Sequence, residues 1–79
     1  MSRSVHSAEY IALREVLIEA RKRVGLTQAE VARRLERPQS FVAKYEAGER
    51  KLDVVEFVTL ARALEREPAE LFGAFLGVR

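Results

Sequence analysis

The feature that most constrains the fold is a helical spacing of apolar residues that is broken at short intervals. Apolar residues recur every three or four positions, and no stretch alternates apolar and polar residues as a strand would. A helix-stopping signal ends each run, and a capping residue or a proline opens the next. A chain of 79 residues is long enough for one domain only. The sequence therefore predicts an all-α fold in a single domain, residues 1–79.

Five helices are predicted from these start and stop signals. Ser7 can cap the first helix, and a left-handed Gly25 can end it. Thr27 and Asp53 each precede a glutamate by three residues, which is the spacing of a capping box, and they open the second and fourth helices. Pro38 suits the start of the third helix, since the first turn does not use its missing N–H. The predicted segments are 8–24, 27–47 (two helices and a turn), 53–65 and 68–76, with residues 1–7 expected to fray.

Positive charge is concentrated in the middle of the chain, although the net charge is only +2. Residues 20–51 hold nine Lys or Arg against four acids, whereas residues 52–79 hold three against five. Such a distribution indicates a polyanionic partner on one face. Charged faces of small helical proteins are more often simply solvated, so this pattern alone does not decide the function.

Composition excludes several classes of function. The chain has no cysteine, so disulfides, thiolate metal sites and cysteine nucleophiles are excluded. Its one histidine, His6, is too few for a metal site, and we expect no metal or other cofactor. The sequence has no nucleophile motif and no phosphate-binding loop of the kinds that would indicate an enzyme. No apolar run could span a bilayer and no signal peptide is present, so we expect a cytoplasmic protein without a membrane role.

The third predicted helix has a polar face of a particular kind. At about 100° per residue, Val42 and Tyr45 point into the domain. The outward face carries Gln39, Ser40 and Lys44 beside two alanines. Small residues allow close approach to a DNA groove, while glutamine, lysine and serine can hydrogen-bond base edges. An ordinary solvated helix has a similar composition, so the face by itself leaves both interpretations open.

Several motif fragments occur in an order that resembles a known family. They are Leu17-x-x-Ala20-Arg21-x-x-x-Gly25-Leu26-Thr27-Gln28, Ala29-Glu30-Val31-Ala32-Arg33-Arg34-Leu35, Gln39-Ser40-Phe41-Val42-x-Lys44-Tyr45-Glu46-x-Gly48-Glu49-Arg50, Leu52-Asp53, and Leu60-Ala61-Arg62-Ala63-Leu64 before Pro68-Ala69-Glu70-Leu71. Residues 17–72 thus resemble the helix-turn-helix domains of phage repressors and Cro, often called the XRE family. The resemblance implies a five-helix, lambda-repressor-like DNA-binding domain with the helix-turn-helix in helices 2 and 3. It implies a sequence-specific regulator of transcription, most simply a repressor, whose partner is double-stranded DNA.

The resemblance also assigns roles to individual residues. The family's base-reading positions correspond to Gln39, Ser40 and Lys44, and its DNA-backbone positions to Gln28, Phe41, Arg50 and Lys51. The assignment of Gln28 agrees with the preference of helix N-termini for anions. Packing against the second helix is an equal alternative for Phe41, and Arg50 and Lys51 could equally be solvated loop charges.

Arg21 and Glu46 match a partly buried ion pair of the family, between its first and third helices. We therefore expect Arg21 to be structural and not to contact DNA. Glu36 and Glu65 stand where the family usually has glycine, and a left-handed residue other than glycine costs about 1–2 kcal/mol. Pro38 replaces a serine or threonine, so the cap of the third helix is expected to lose a hydrogen bond.

Apolar residues outside the core stripes suggest a dimer. Ile11 and Ile18 share a second face of the first helix, and Val55 lies off the buried face of the fourth. Phe75 and Leu76 belong to a nearly apolar C-terminal stretch that a small monomer seldom leaves in water. Either this stretch folds onto the first helix or it forms a twofold interface. We favour a homodimer, whose reading helices would lie about 34 Å apart and read an inverted repeat.

A protein-interaction module on the same fold is the alternative function. An antitoxin or an anti-regulator would have much the same sequence and would use the apolar C-terminus to bind a protein partner. Such proteins often bind DNA as well, so the two hypotheses overlap.

Overall fold

Five α-helices make up the fold, and the computed structural model describes residues 7–77, in which no strand occurs. The helices are α1 (Ala8–Arg23), α2 (Gln28–Leu35), α3 (Gln39–Ala47), α4 (Val54–Ala63) and α5 (Pro68–Gly77). The predicted all-α, five-helix fold is confirmed. Apart from Ser7, the segment expected to fray lies outside the described residues, as does His6.

The helix starts follow the predicted caps. The backbone N–H of Tyr10 donates to the Ser7 hydroxyl at 3.0 Å. Thr27 and Asp53 each complete a capping box with the glutamate three residues further on. Pro38 is the N-cap of α3 and supplies no side-chain hydrogen bond, as expected. Since such a bond is worth about 1 kcal/mol, α3 depends correspondingly more on its packing.

Two turns contain a left-handed glutamate where the family usually has glycine. Glu36 has φ 58° and Glu65 has φ 63°, so both glutamates adopt the left-handed conformation and the strain is tolerated. Arg34 supports the second turn, because its Nη1 donates to the Ala63 carbonyl at 2.9 Å and to a Glu65 carboxylate oxygen at 2.9 Å. The left-handed Glu65 also explains why α4 ends at Ala63, two residues earlier than predicted.

The core draws on all five helices. Its buried residues are Leu17, Ala20, Val31, Ala32, Phe41, Val42, Tyr45, Leu60, Ala61, Leu64 and Leu71. α2 packs on α3 and α4, and α1 packs on α3 and α5. α5 gives the core only Leu71, so most of its apolar residues lie near the surface.

Residues 7–77 contain neither a candidate membrane-spanning helix nor a candidate metal-binding cluster. Within residues 7–77, no helix is both long and apolar enough to cross a bilayer. In the same range, no three His, Asp or Glu side chains are grouped closely enough to hold a metal ion.

Candidate nucleic-acid interface

A three-residue turn sets α3 against α2. The backbone N–H groups of Glu36 and Arg37 donate to the carbonyls of Arg33 and Ala32, at 3.1 and 3.0 Å, and so close the end of α2. Pro38 follows in extended conformation, with φ −62°, and α3 begins at the next residue. Two short helices joined in this way form a helix-turn-helix.

The two faces of α3 differ as the sequence predicted. Val42 and Tyr45 are fully buried. Gln39, Ser40 and Lys44 are exposed. Ala43 and Ala47, on the same outward side, add little bulk, so the polar side chains stand on a thin face that can approach another surface closely. Base reading by these three residues stays a prediction.

The ion pair implied by the family resemblance joins α1 to α3. Arg21 Nε lies 2.7 Å from Glu46 Oε2, and Arg21 Nη2 lies 3.0 Å from Glu46 Oε1. The side chains are only 14% and 7% exposed. The hydrogen bond to Glu46 raises the pKa of the Arg21 guanidinium. Arg21 Nη1 also donates to the Leu26 carbonyl at 2.8 Å, so this side chain fastens the α1–α2 connection to α3.

Gln28 belongs to the same network, which the sequence did not indicate. It is the first residue of α2, and its Nε2 donates to Glu46 Oε1 at 2.8 Å. A second N–H of that amide is available, as are the backbone N–H groups of the first two residues of α2, whereas the N–H of Glu30 is used by the capping box. The predicted phosphate contact of Gln28 would therefore come from a side chain that is already held in place.

Phe41 lies on α3 at the edge of the core, and two guanidinium groups contact its ring. The Cζ atoms of Arg37 and Arg50 lie 4.0 and 4.7 Å from its ring centroid. The ring also meets Tyr45 edge-on at 5.6 Å, and Phe41 is only 7% exposed. The ring of Phe41 is therefore buried in the core beside Tyr45. A contact of Phe41 with the DNA backbone stays a prediction.

Glu56 holds the two arginines. Arg50 donates to both carboxylate oxygens of Glu56, each at 2.9 Å, and to the Lys51 carbonyl at 2.8 Å. Arg37 Nη2 lies 3.7 Å from the same carboxylate. Hydrogen bonding to Arg50 lowers the pKa of Glu56 to about 2, and the same bond raises the pKa of Arg50. Arg50 is thus not a freely solvated loop charge, whereas Lys51 is exposed.

The C-terminal end of α3 is closed by Gly48 and Arg14. Gly48 has φ 80°, and a Cβ there would lie 2.7 Å from Arg14 Nη1. Arg14 Nη1 donates to the Glu46 carbonyl at 3.3 Å, which puts a cation where the helix dipole favours one. Glycine is therefore favoured here by the left-handed backbone, whereas the flexible end of the Arg14 side chain can shift to make room for a Cβ.

The candidate dimer residues lie at the outer surface of α1, α4 and α5. Val55 is 73% exposed, Leu76 51% and Ile11 37%, while Ile18 and Phe75 are half-buried. α5 packs along α1. The C-terminal stretch therefore covers the first helix in part, as one of the two alternatives predicted. It nevertheless leaves Ile11 and Leu76 exposed.

Comparisons with known proteins agree with this geometry. A helix-turn-helix family model matches residues 17–71, which is more than half of the chain. A solved XRE-family like protein from Pseudomonas syringae pv. tomato is 45% identical, with a TM-score of 0.87, and the match covers 96% of this chain and 93% of that one. No curated protein sequence matches the chain.

Two further solved structures are restriction-modification controller proteins. C.AhdI from Aeromonas hydrophila is 35% identical, with a TM-score of 0.75, over 84% of this chain and 100% of its own. A mutant of C.Esp1396I is 19% identical with a TM-score of 0.84, over 91% of each chain, a likeness of fold alone. The chain therefore belongs to the XRE family of helix-turn-helix proteins and is a DNA-binding regulator of transcription rather than an enzyme.

Proposed function

We propose that this regulator is a homodimeric repressor that binds an inverted-repeat operator with α3 in the major groove. The observation that carries the proposal is the outward face of α3, on which exposed Gln39, Ser40 and Lys44 stand beside two alanines. These side chains can make the hydrogen bonds that distinguish base pairs in the major groove. We expect the protein in the cytoplasm, on the nucleoid when bound to DNA.

Contacts to the DNA backbone would come from both sides of α3. Gln28 stands at the start of α2, where the helix dipole favours a phosphate. Lys51 is exposed in the loop after α3, next to Arg50. Such contacts fix the register of α3 without reading sequence, and they make affinity fall with salt.

An apolar surface supports the homodimer. Val54 and Val55, at the start of α4, are 79% and 73% exposed, and Phe72 and Leu76 of α5 are 46% and 51% exposed. Phe72 also lines a shallow apolar groove between α4 and α5. A second copy of the chain would bury this surface in a twofold interface. Repression by occlusion of a promoter then needs only operator binding, and the controller relatives support a regulatory role.

Selection from a pool of randomised duplexes, at about physiological salt, tests the proposal. We expect enrichment of an inverted repeat whose half-site centres are about one helical turn, roughly 10 base pairs, apart. Enrichment of a single half-site without its symmetric partner would contradict the homodimer. A folded protein that enriches no sequence would contradict operator binding and would favour the alternative, in which the apolar surface binds another protein.

A further inference from the structure

Arg37 stands apart from the other basic residues around α3. It lies in the turn between α2 and α3, and the family resemblance assigned it no role. Its side chain is 41% exposed, and its guanidinium donates no hydrogen bond to another described residue. Its nearest carboxylate oxygen, on Glu56, is 3.7 Å away, beyond hydrogen-bond distance. The guanidinium therefore has N–H donors to spare.

The guanidinium of Arg37 is nevertheless held in place. Its Cζ lies over the ring of Phe41 at 4.0 Å from the centroid, and the carboxylate of Glu56, 3.7 Å away, attracts it. A cation–π contact uses none of the five N–H donors of a guanidinium in a hydrogen bond to an oxygen, so these donors remain available for an anion. Glu56 is already bound through both oxygens to Arg50, so the three groups together keep one positive charge.

The position of Phe41 on α3 indicates the direction in which the positive charge of Arg37 faces. Phe41 and Lys44 are three residues apart, so they are neighbours on the helix surface, about 60° apart around its axis. Lys44 is on the exposed reading face, and Phe41 marks the edge where that face meets the core. With α3 in a major groove, an arginine lying over Phe41 faces the phosphates that border the groove.

We propose that Arg37 binds a phosphate of the DNA backbone at the edge of the major groove next to Lys44, with Phe41 and Glu56 as its positioning residues. This inference rests on the proposed DNA binding of α3. It gives Phe41 a role in DNA binding that works through Arg37 and not through contact of the ring with DNA. It also explains why two arginines share one carboxylate at this place.

Arg37→Gln is the variant that tests the inference, measured by the affinity for one fixed duplex at several salt concentrations. Each phosphate contact contributes about 0.9 to the slope of log K against log salt. We expect the slope to fall by about 0.9 for each bound protomer, which is about a fivefold loss of affinity per protomer at about 0.15 M salt and about 15-fold at about 0.05 M. Arg37→Lys, which keeps the charge, should retain the parental slope.

Arg66→Gln is the matched control, because it removes the same charge elsewhere. Arg66 lines a groove against the face of α1 that includes Glu15 and Glu19. At about 100° per residue, this face is opposite the one on which Arg21 reaches α3. We expect the slope of log K against log salt for Arg66→Gln to equal that of the parent. Thermal melts of each variant ensure that only folded protein is compared.

Three results would count against the inference in different ways. A slope unchanged in Arg37→Gln, with parental affinity, would remove Arg37 from the interface. A lower affinity with the parental slope at every salt concentration would make Arg37 merely structural. Both leave the proposed function intact, whereas a parent protein that binds no duplex would remove the proposed function and this inference together.

Discussion

Replacing Arg21 with alanine removes one partner of the ion pair between α1 and α3. Glu46 would lose hydrogen bonds of 2.7 and 3.0 Å and keep only Gln28 as a side-chain donor, and the Leu26 carbonyl would lose its own bond. Because the side chains of Arg21 and Glu46 are only 14% and 7% exposed, water can replace only part of the lost hydrogen bonds. Breaking a buried pair costs about 3–5 kcal/mol, and we expect the lower end, about 3 kcal/mol, since Gln28 remains.

That loss is large for a domain of this size. At about 0.05–0.15 kcal/mol per residue, the whole free energy of unfolding is roughly 4–12 kcal/mol. A loss of about 3 kcal/mol would lower the Tm by about 12–24 °C. Urea unfolding followed by circular dichroism measures the change in unfolding free energy directly.

Arg23→Ala is the matched control on the same helix. Arg23 pairs with Glu19 at 3.4 Å, but these side chains are 72% and 66% exposed. An exposed pair of this kind contributes about 0–0.5 kcal/mol, so Arg23→Ala should unfold almost like the parent. If Arg21→Ala were as stable as Arg23→Ala and yet failed to bind DNA, Arg21 would be a DNA ligand and the structural assignment would be refuted.

The effects of four further substitutions on stability can be measured by the same urea unfolding. Gly48→Ala should lose at least about 1–2 kcal/mol through its left-handed backbone, whereas Gly73→Ala, in α5 with no atom within 4 Å of the new Cβ, should gain about 0.5–1 kcal/mol. Equal effects of the two changes would contradict the role given to Gly48. Glu36→Gly should leave stability unchanged or raise it by up to about 1 kcal/mol, since it relieves strain but loosens the unfolded chain; a clear loss would show that the glutamate side chain matters there. The pKa of Glu56 is lowered from 4.5 to about 2, so its contribution is present above pH 4.5 and is lost as the pH falls towards 2. As the pH falls from 4.5 to 2, the unfolding free energy of Glu56→Gln should therefore decrease by less than that of the parent. Equal decreases in the two proteins would contradict the pairing of Glu56 with Arg50.

The helices could be predicted because their signals are local. Thr27 and Asp53 open α2 and α4 through capping boxes that lie within four residues of sequence. The end of α4 was predicted two residues late, because the residue that turns the chain there, Glu65, is not a glycine. A left-handed glutamate has no local sequence signal, and only the family resemblance, which puts Glu65 at a glycine position, indicated this turn.

Only those features of the candidate site that lie within a single helix could be predicted from the sequence. The faces of α3 follow from its period, so the exposure of Gln39, Ser40 and Lys44 could be foreseen. Arg37 and Glu56 lie 19 positions apart and meet only because the loop after α3 brings the start of α4 alongside. A count of charges shows neither this pairing nor the hydrogen bond of Gln28 to Glu46.

The outward face of α3 is the centre of the account, and its most direct test is duplex selection repeated with Lys44→Ala. We expect the preference at one symmetric pair of operator positions to disappear while the other positions keep theirs. Lys51→Ala, which removes the same side chain from the loop after α3, should weaken binding to all sequences about equally and leave the preferences unchanged. A parental pattern of preferences in the Lys44→Ala selection, with affinity reduced equally on selected and random DNA, would contradict base reading by Lys44 from this face of α3.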